Sequence, residues 1–420
     1  VLTNPNPRHY TADHEAFRDT VRRFVEREII PHAAEWDEAG GFPRELYEKA
    51  AAAGLLGVGF PEEYGGTPAD HFYRVILAEE MGRSGSGGTC ASLMSHTIGL
   101  PPLVAGASAE LKARVLPDVL AGRKISALAV TEPGAGSDVA QLATTAKRDG
   151  DHYVVNGAKM FITSGMRADW YTVAVRTGGP GASGVSLLAI ERDTPGFSRT
   201  ELKKMGWWAS DTAELHFDDC RVPAANLIGA EGQAFPLIMR NFNGERLTLA
   251  ASACGAAIAC LEDAVDWARE RKTFGQPLIG HQVIRHKLVD MVERIEATRA
   301  LLDDLAARLD VEPPSPQPSP RRGEGAALPQ AGEGSSSPSP RGRGEGRGEG
   351  QALIAQTAMA KNTAARTMQF CADAAVQILG GSGYMRGVRV ERIYREVKVM
   401  MIGGGAEEIL KDLAARQLGF

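Results

Sequence analysis

The chain is poor in cysteine and aromatic residues, and neither sign of charge dominates it. Its five cysteines among 420 residues (Cys90, Cys220, Cys254, Cys260 and Cys371) are an odd number without close Cys-x-x-Cys spacing. That excludes a disulfide scaffold and a thiolate zinc site, and suits buried thiols in a reducing compartment. A net charge of −5, from 47 basic and 52 acidic residues, provides no broad electropositive field, which argues against nucleic acid or anionic lipid as partners. The most apolar stretch, Leu247 to Cys260, is too short to span a bilayer and reads as a buried helix. The opening Val-Leu-Thr-Asn-Pro-Asn-Pro lacks a basic-then-apolar signal and an Arg-rich amphipathic leader, so a cytoplasmic location is expected. What is abundant is hydrophobic residue, 43% of the chain, enough for substantial cores in two or three domains.

Periodicity divides the chain. Over residues 1–124 apolar positions recur at helical spacing (Phe17, Val21, Phe24; Leu46, Ala50, Ala53), predicting a helical N-terminal domain. Over 125–232 the pattern becomes short β-branched runs such as Tyr171–Val175 and Val185–Ile190, separated by Gly, Pro and Asp turns. This predicts a β-barrel or sandwich. From 233 to 420 helical spacing returns, with long segments near 233–271, 280–309, 351–379 and 387–400, a helical bundle. The fold class is therefore α+β. A crowd of small residues on one helix (Ala250, Ala253, Gly255, Ala256, Ala259) would let neighbouring helices approach closely. Residues 312–350, built from Pro, Ser, Gly, Arg and Glu, have no means of burying a core and read as a solvated insertion within the bundle.

Two motifs carry chemistry. Leu128-Ala-Val-Thr-Glu-Pro-Gly-Ala-Gly-Ser137 delivers a strand into a turn of small residues, where backbone N–H groups and a hydroxyl can approach a ligand unobstructed. About twenty residues on comes Asn156-Gly-Ala-Lys-Met-Phe-Ile-Thr-Ser164, in which Asn-Gly predicts a hairpin between Tyr153–Val155 and Met160–Thr163.

In this order the two segments resemble the FAD-binding middle domain of the acyl-CoA dehydrogenase family. Leu56-Gly-Val-Gly-Phe-Pro-Glu-Glu-Tyr-Gly-Gly66 is similar to the family's N-terminal domain, Glu270-Arg-Lys-Thr-Phe-Gly-Gln-Pro277 to its shared flavin site, and Gln377-Ile-Leu-Gly-Gly-Ser-Gly-Tyr384 to its C-terminal domain. The resemblance spans nearly the whole chain. It implies FAD as cofactor, an acyl-CoA thioester as substrate, electron-transferring flavoprotein as electron acceptor, and a homotetramer. It assigns Leu128, Val130, Thr131, Gly136 and Ser137 to the cofactor, with Phe161, Ile162 and Thr163 on the flavin ring, where Phe161 replaces a frequent Trp. Arg271, Thr273, Phe274, Gln282, Gln377, Gly380 and Gly381 fall at positions that hold a neighbouring subunit's FAD, and Gly405 also falls at a cofactor position. Ser137, Lys204, Asn243 and Arg246 fall at CoA-contact positions, Lys204 replacing the common Asn. Thr89–His96 matches a helix that walls the acyl cavity.

Members of this family remove an α-proton with a carboxylate while hydride leaves the β-carbon for the flavin. The carboxylate occurs at one of two stations. One lies on the loop before the last helix, in a Tyr-Glu-Gly-Thr motif. Here that stretch is Met401-Ile-Gly-Gly-Gly-Ala-Glu-Glu-Ile409, and alignment through Ile402, Gly405 and Ile409 puts Gly404 at the station. The other, used by isovaleryl-CoA and long-chain members, is a Glu before Arg on the first long helix of the C-terminal domain, here Asn243-Gly-Glu-Arg246. The complementary pattern implies Glu245 as base, with its pKa raised toward neutrality by burial. Arg246 is expected to point away, holding structure or CoA. Glu407 and Glu408 are the alternatives, and His96 and His281, without a nucleophile motif, read as structural. Glu245's station hints at branched or longer acyl chains. The rival readings are a flavin monooxygenase or oxidase on the same fold, and a catalytically silent flavoprotein subunit.

Overall fold

The computed structural model describes residues 8–311 and 345–420, the side chains of 345–349 apart. The N-terminal part is helical: α1 (Ala12–Phe24), α2 (Ala33–Ala39), α3 (Glu45–Ala52), α4 (His71–Arg83), α5 (Gly87–Leu93), α6 (His96–Gly99), α7 (Pro101–Gly106) and α8 (Ala109–Leu120). Side-chain caps start several of these helices: Thr11 accepts from His14 N, Asp70 from Tyr73 N and Ser108 from Leu111 N.

The strands follow as β1 (Ser126–Ala129), β2 (Thr145–Asp149), β3 (His152–Thr163), β4 (Trp170–Arg176), β5 (Val185–Glu191), β6 (Phe197–Glu201), β7 (Thr212–Pro223) and β8 (Leu227–Ile228). They form one sheet in the order β6-β7-β3-β2-β4-β5-β8, with β1 parallel to β4. Among the described residues the path ends at β6 and β8, and the central domain is β-rich between helical domains, as expected. Helices cover both of its faces. One layer packs Val21, Phe24, Leu46 and Leu93 against Val155, Tyr171, Val173 and Leu215, and the other packs Leu100, Leu111 and Val115 against Trp170, Ala174 and Leu187. Burial on both faces explains why β4 and β5 read as continuous apolar runs.

The expected hairpin at Asn156-Gly157 is also corrected. β3 runs straight through these residues, and its register against β7 slips there, forming a bulge. Gly157 has φ 143°, and a Cβ on it would lie 2.7 Å from the Thr144 Cα. The Asn-Gly pair therefore serves a bulge and a close backbone approach. The actual hairpin joins β2 to β3 at Gly150, φ 62°, with Asp149 opposite His152.

The rest is α9 (Ala234–Glu270), a small ribbon β9 (Lys272–Thr273) and β10 (Gln276–Pro277), then α10 (Gln282–Val311), α11 (Glu345–Leu379), α12 (Arg389–Ile402) and α13 (Glu407–Leu418). The expected insertion at 312–350 lies mostly outside the described residues, but 345–350 already belong to α11, so its C-terminal boundary moves back. By length and composition α9 could cross a membrane. Here it is the central helix of a buried bundle, packed on α4, α10 and α11. Its small residues allow that contact: a Cβ on Gly255 would lie 2.0 Å from the Glu79 carbonyl oxygen, and one on Gly82 2.1 Å from that of Ser252.

Candidate active site

A cavity of about 500 Å³ opens between α4, α5, α7, α9 and α12, and Glu245 and Thr163 both line it. Glu245 occupies the cavity face of α9, where Asn241, Asn243, Thr248, Leu249 and Ser252 follow at helical spacing. Burial pushes its carboxyl up to about 7, with Arg246 and Lys361 pulling the other way. The two cations favour the carboxylate without pairing with it directly.

Those two cations hold a neighbouring loop. Arg246 Nε donates to Gly404 O at 3.1 Å and its Nη1 to Asn243 Oδ1 at 2.7 Å. Lys361 Nζ donates to Gly405 O at 2.9 Å. The Gly403–Gly405 loop is thereby fixed against α9 and α11. Gly404 has φ 66°, and a Cβ on it would lie 3.9 Å from Glu245 Oε1. Position 404 thus faces the Glu245 carboxylate, with Leu249 Cδ1 nearer still, 2.6 Å from such a Cβ. Arg246 points away from the cavity, as expected, into the loop. Lys361 was not singled out from the sequence, because it lies on α11, far from both motifs, with nothing local to mark it.

The alternative acids are engaged elsewhere. Glu407 pairs with Arg366 and, at 2.7 Å, with Lys411, hydrogen bonds that hold its carboxyl down at about 2. Glu408 is exposed, and neither residue lines the cavity. His96 donates to or accepts from nothing reactive: its Nε2 lies 2.9 Å from Leu56 O, and burial lowers its pKa to about 4, keeping it neutral. His281 contacts Thr273 and Gln276 beside the ribbon.

The two flavin motifs meet through the backbone. At the second register slip in β3, between Lys159 and Ile162, Met160 N turns away from β7 and donates to Thr131 O at 2.8 Å. Lys159 is buried beneath the turn, its Nζ donating to Val130 O at 3.1 Å and to Glu132 Oε1 at 2.7 Å. The Glu132 carboxylate also accepts from Ala143 N and Thr144 N at 2.5 and 2.9 Å. This Lys159–Glu132 pair, inside the motifs but unassigned from sequence, fastens the Gly-rich turn to the sheet. Burial lowers the Lys159 pKa to about 8, and Glu132 is held below its ordinary value because Lys159 and the amides outweigh its own burial.

The same bulge presents Phe161 outward, 65% exposed and with φ 62°. An apolar ring held outward in a strained conformation suits a planar partner. Ile162 instead sits in the β core at 3% exposure and Val130 is buried at 6%, which corrects the expectation that the Ile162 side chain packs on the ring; both residues offer only main chain. Gly136 and Ser137 are exposed in the turn, and Leu128 is partly buried. Lys204 is another correction. Its ammonium turns inward, donating to Ser210 O and to Thr212 Oγ1 at 2.9 Å, which makes it a structural tie rather than a CoA contact. Arg271, Phe274, Gln282, Gln377, Gly380 and Gly381 are exposed and Thr273 is partly buried, and none of them lines the cavity. Gly380 and Gly381 have open space where a Cβ would stand. The outward aromatic, the bare Gly-rich turn and Thr163 at the cavity fit an FAD whose ring reaches the Glu245 cavity.

Comparison with known proteins gives three consecutive matches: the acyl-CoA dehydrogenase N-terminal domain over residues 11–123, the middle domain over 127–220, and the C-terminal domain over 232–327 and 344–419. The chain belongs to the acyl-CoA dehydrogenase family. It is 36% identical to an acyl-CoA dehydrogenase of Bacillus subtilis, over 98% of this chain and 99% of that one. It is 35% identical to the mitochondrial long-chain specific acyl-CoA dehydrogenase of Sus scrofa, covering 98% and 87%. The crystal structure of acyl-CoA dehydrogenase from Geobacillus kaustophilus superposes with a TM-score of 0.86 at 34% identity, covering 99% and 100%. The chain is thus an FAD-dependent acyl-CoA dehydrogenase, an oxidoreductase acting on a CH–CH bond.

Proposed function

We propose that Glu245 is the base of this dehydrogenase and that its substrate carries a long or branched acyl chain. The observation that supports the assignment is the convergence at Gly404: a side chain there would stand beside Glu245 Oε1, 3.9 Å from its Cβ, so the base can come from either element, and here only α9 offers a carboxylate. The α-proton of the thioester passes to the Glu245 carboxylate, and the electron pair left behind forms the Cα–Cβ double bond as hydride leaves the β-carbon. FAD supplies the acceptor for that hydride. A carboxyl that titrates near 7 is a stronger base than an ordinary glutamate and is still about half ionised at neutral pH.

Arg246 and Lys361 keep the loop carbonyls turned away, so that the Glu245 carboxylate is the negative group facing the thioester. Arg240, exposed where α9 meets the cavity, is suited to a CoA phosphate. The cavity follows α9 past Ser252 and Ala256 to Leu309 and Met368, which favours long chains. Electron-transferring flavoprotein as acceptor follows from the family reading. So does a homotetramer, which the exposed apolar Phe274, Tyr384 and Met385, in or next to the Glu270–Pro277 and Gln377–Tyr384 segments, favour (98%, 82% and 60% exposed). A cytoplasmic location rests on five free, buried thiols.

The test is anaerobic bleaching of the holoenzyme's flavin by straight and branched acyl-CoAs, followed by reoxidation with electron-transferring flavoprotein or oxygen. Bleaching by long or branched thioesters and fast reoxidation by the flavoprotein support the proposal. Fast reoxidation by oxygen would favour a monooxygenase or oxidase, and absence of bleaching a silent subunit.

A further inference from the structure

The acyl cavity ends at a cation. α4 and α9 cross antiparallel, with Gly82 against Ser252 and Glu79 against Gly255. Glu245 lies seven residues before Ser252 and Arg74 eight residues before Gly82. At about 1.5 Å per residue this puts them at opposite ends of the helix pair, roughly 20 Å apart along it. His71, Arg74 and Ala78 of α4 line that remote end together with Leu309 of α10, while the wall between is mostly apolar, with Leu77, Met81, Leu249, Ala256, Ile393 and Met400 beside Ser252 and Glu396.

Arg74 is partly buried and under-used. Its Nη2 donates to Gly59 O at 3.1 Å, and among the described residues no carboxylate forms an ion pair with it. Asp310, whose field reaches it, is taken by His71, through Nδ1 at 2.6 Å and the main-chain N at 3.0 and 3.3 Å. The other acids on the cavity wall, Glu245 and Glu396, are not paired with it either. Glu396 Oε2 accepts from Gly87 N at 3.0 Å instead. A guanidinium carries five N–H donors in a planar fork matched to a carboxylate, and one is in use here. A methyl-terminated chain ending there would cover the remaining donors without replacing their water, which is unfavourable.

We propose that Arg74 recognises an anionic terminus on the acyl chain, so that the preferred substrate is the CoA monothioester of a long α,ω-dicarboxylic acid. The free carboxylate pairs with Arg74 while the thioester end lies at Glu245. This rests on the reading of Glu245 as base. A neutral chain fills the same tunnel but forfeits the charge-assisted hydrogen bonds at its end and leaves the Arg74 donors desolvated.

The experiment compares CoA monothioesters of α,ω-dicarboxylic acids of increasing length with fatty acyl-CoAs of equal carbon number, on the holoenzyme and on Arg74→Met and Arg74→Lys. Anaerobic bleaching and calorimetric binding are both read. In the wild type the dicarboxylic series is expected to win by about tenfold or more in kcat/KM at the length that spans the tunnel. Arg74→Met should collapse that ratio by a similar factor with flavin content intact, and Arg74→Lys should retain part of it. A wild-type preference for methyl-terminated chains at every length overturns the proposal, as does equal loss of both series in Arg74→Met, the mark of a structural tie to Gly59. Arg74-dependent binding of the dicarboxylic thioester without any bleaching would instead sink the Glu245 reading and leave the recognition site standing.

Discussion

Replacing Glu245 with Gln should abolish bleaching of the flavin by acyl-CoA and also stabilise the folded protein, but only when the pH is above the acid range. The carboxyl is raised from 4.5 to about 7 by burial. At about 1.4 kcal/mol per pKa unit, holding it ionised inside the fold costs about 3 kcal/mol. The sign follows from the direction of the shift. A folded-state pKa above the unfolded one means that the folded protein binds the proton more tightly, so the penalty is absent below about pH 4.5, grows as pH rises toward 7, and is constant beyond it. Gln is neutral at every pH and nearly isosteric. Thermal melts of wild-type and Glu245→Gln holoenzyme should therefore coincide in acid and diverge in favour of the variant above neutrality, by roughly 1–3 kcal/mol after partial solvation by the cavity. In parallel, wild-type kcat/KM should climb with pH through about 7 as the base ionises. A variant that still bleaches at the wild-type rate, or a stability gain that is equal at both pH extremes, would refute the argument.

Lys361→Met releases the Gly405 carbonyl and removes a cation that lowers the Glu245 pKa. The expected outcome is a kcat reduced about tenfold, with flavin retained and the ascending limb of the pH profile moved to higher pH; an unmoved limb means that Lys361 acts only structurally. Lys159→Met leaves Glu132 buried without its cation, which should destabilise the protein by about 3–5 kcal/mol and cost it FAD. Flavin content and melting temperature read this directly, and normal values for both would dismiss the role assigned to the pair. Gly255→Val puts a side chain 2.0 Å from a main-chain oxygen of α4, and a loss of more than about 2 kcal/mol is expected. An unchanged melting curve would show that the helices can part freely.

Much of the architecture was legible because helices and strands advertise themselves by period. The long C-terminal helices follow directly from apolar spacing, and the small-residue stripe around Gly255 marks the close helix contact that the structure contains. The hairpin expected at Asn156-Gly157 failed because a left-handed or extended Gly serves a bulge as readily as a turn, and the neighbouring strand decides which. Lys204 was misread because its inward turn depends on acceptors at Ser210 and Thr212, supplied by the loop and the start of β7.

By itself, the amino-acid sequence determined the family, the flavin motifs, and the unusual pairing of Glu245 with an empty Gly404 station, since each is a local pattern of residue types. Only the tertiary structure decided what surrounds them. Lys361 meets Gly405, Arg246 meets Gly404, Glu407 is neutralised by Arg366, and Arg74 stands at the far end of the tunnel from Glu245. These relations join residues far apart in the chain, and their energies arise from desolvation and short-range contact. Both exist only once the helices have packed.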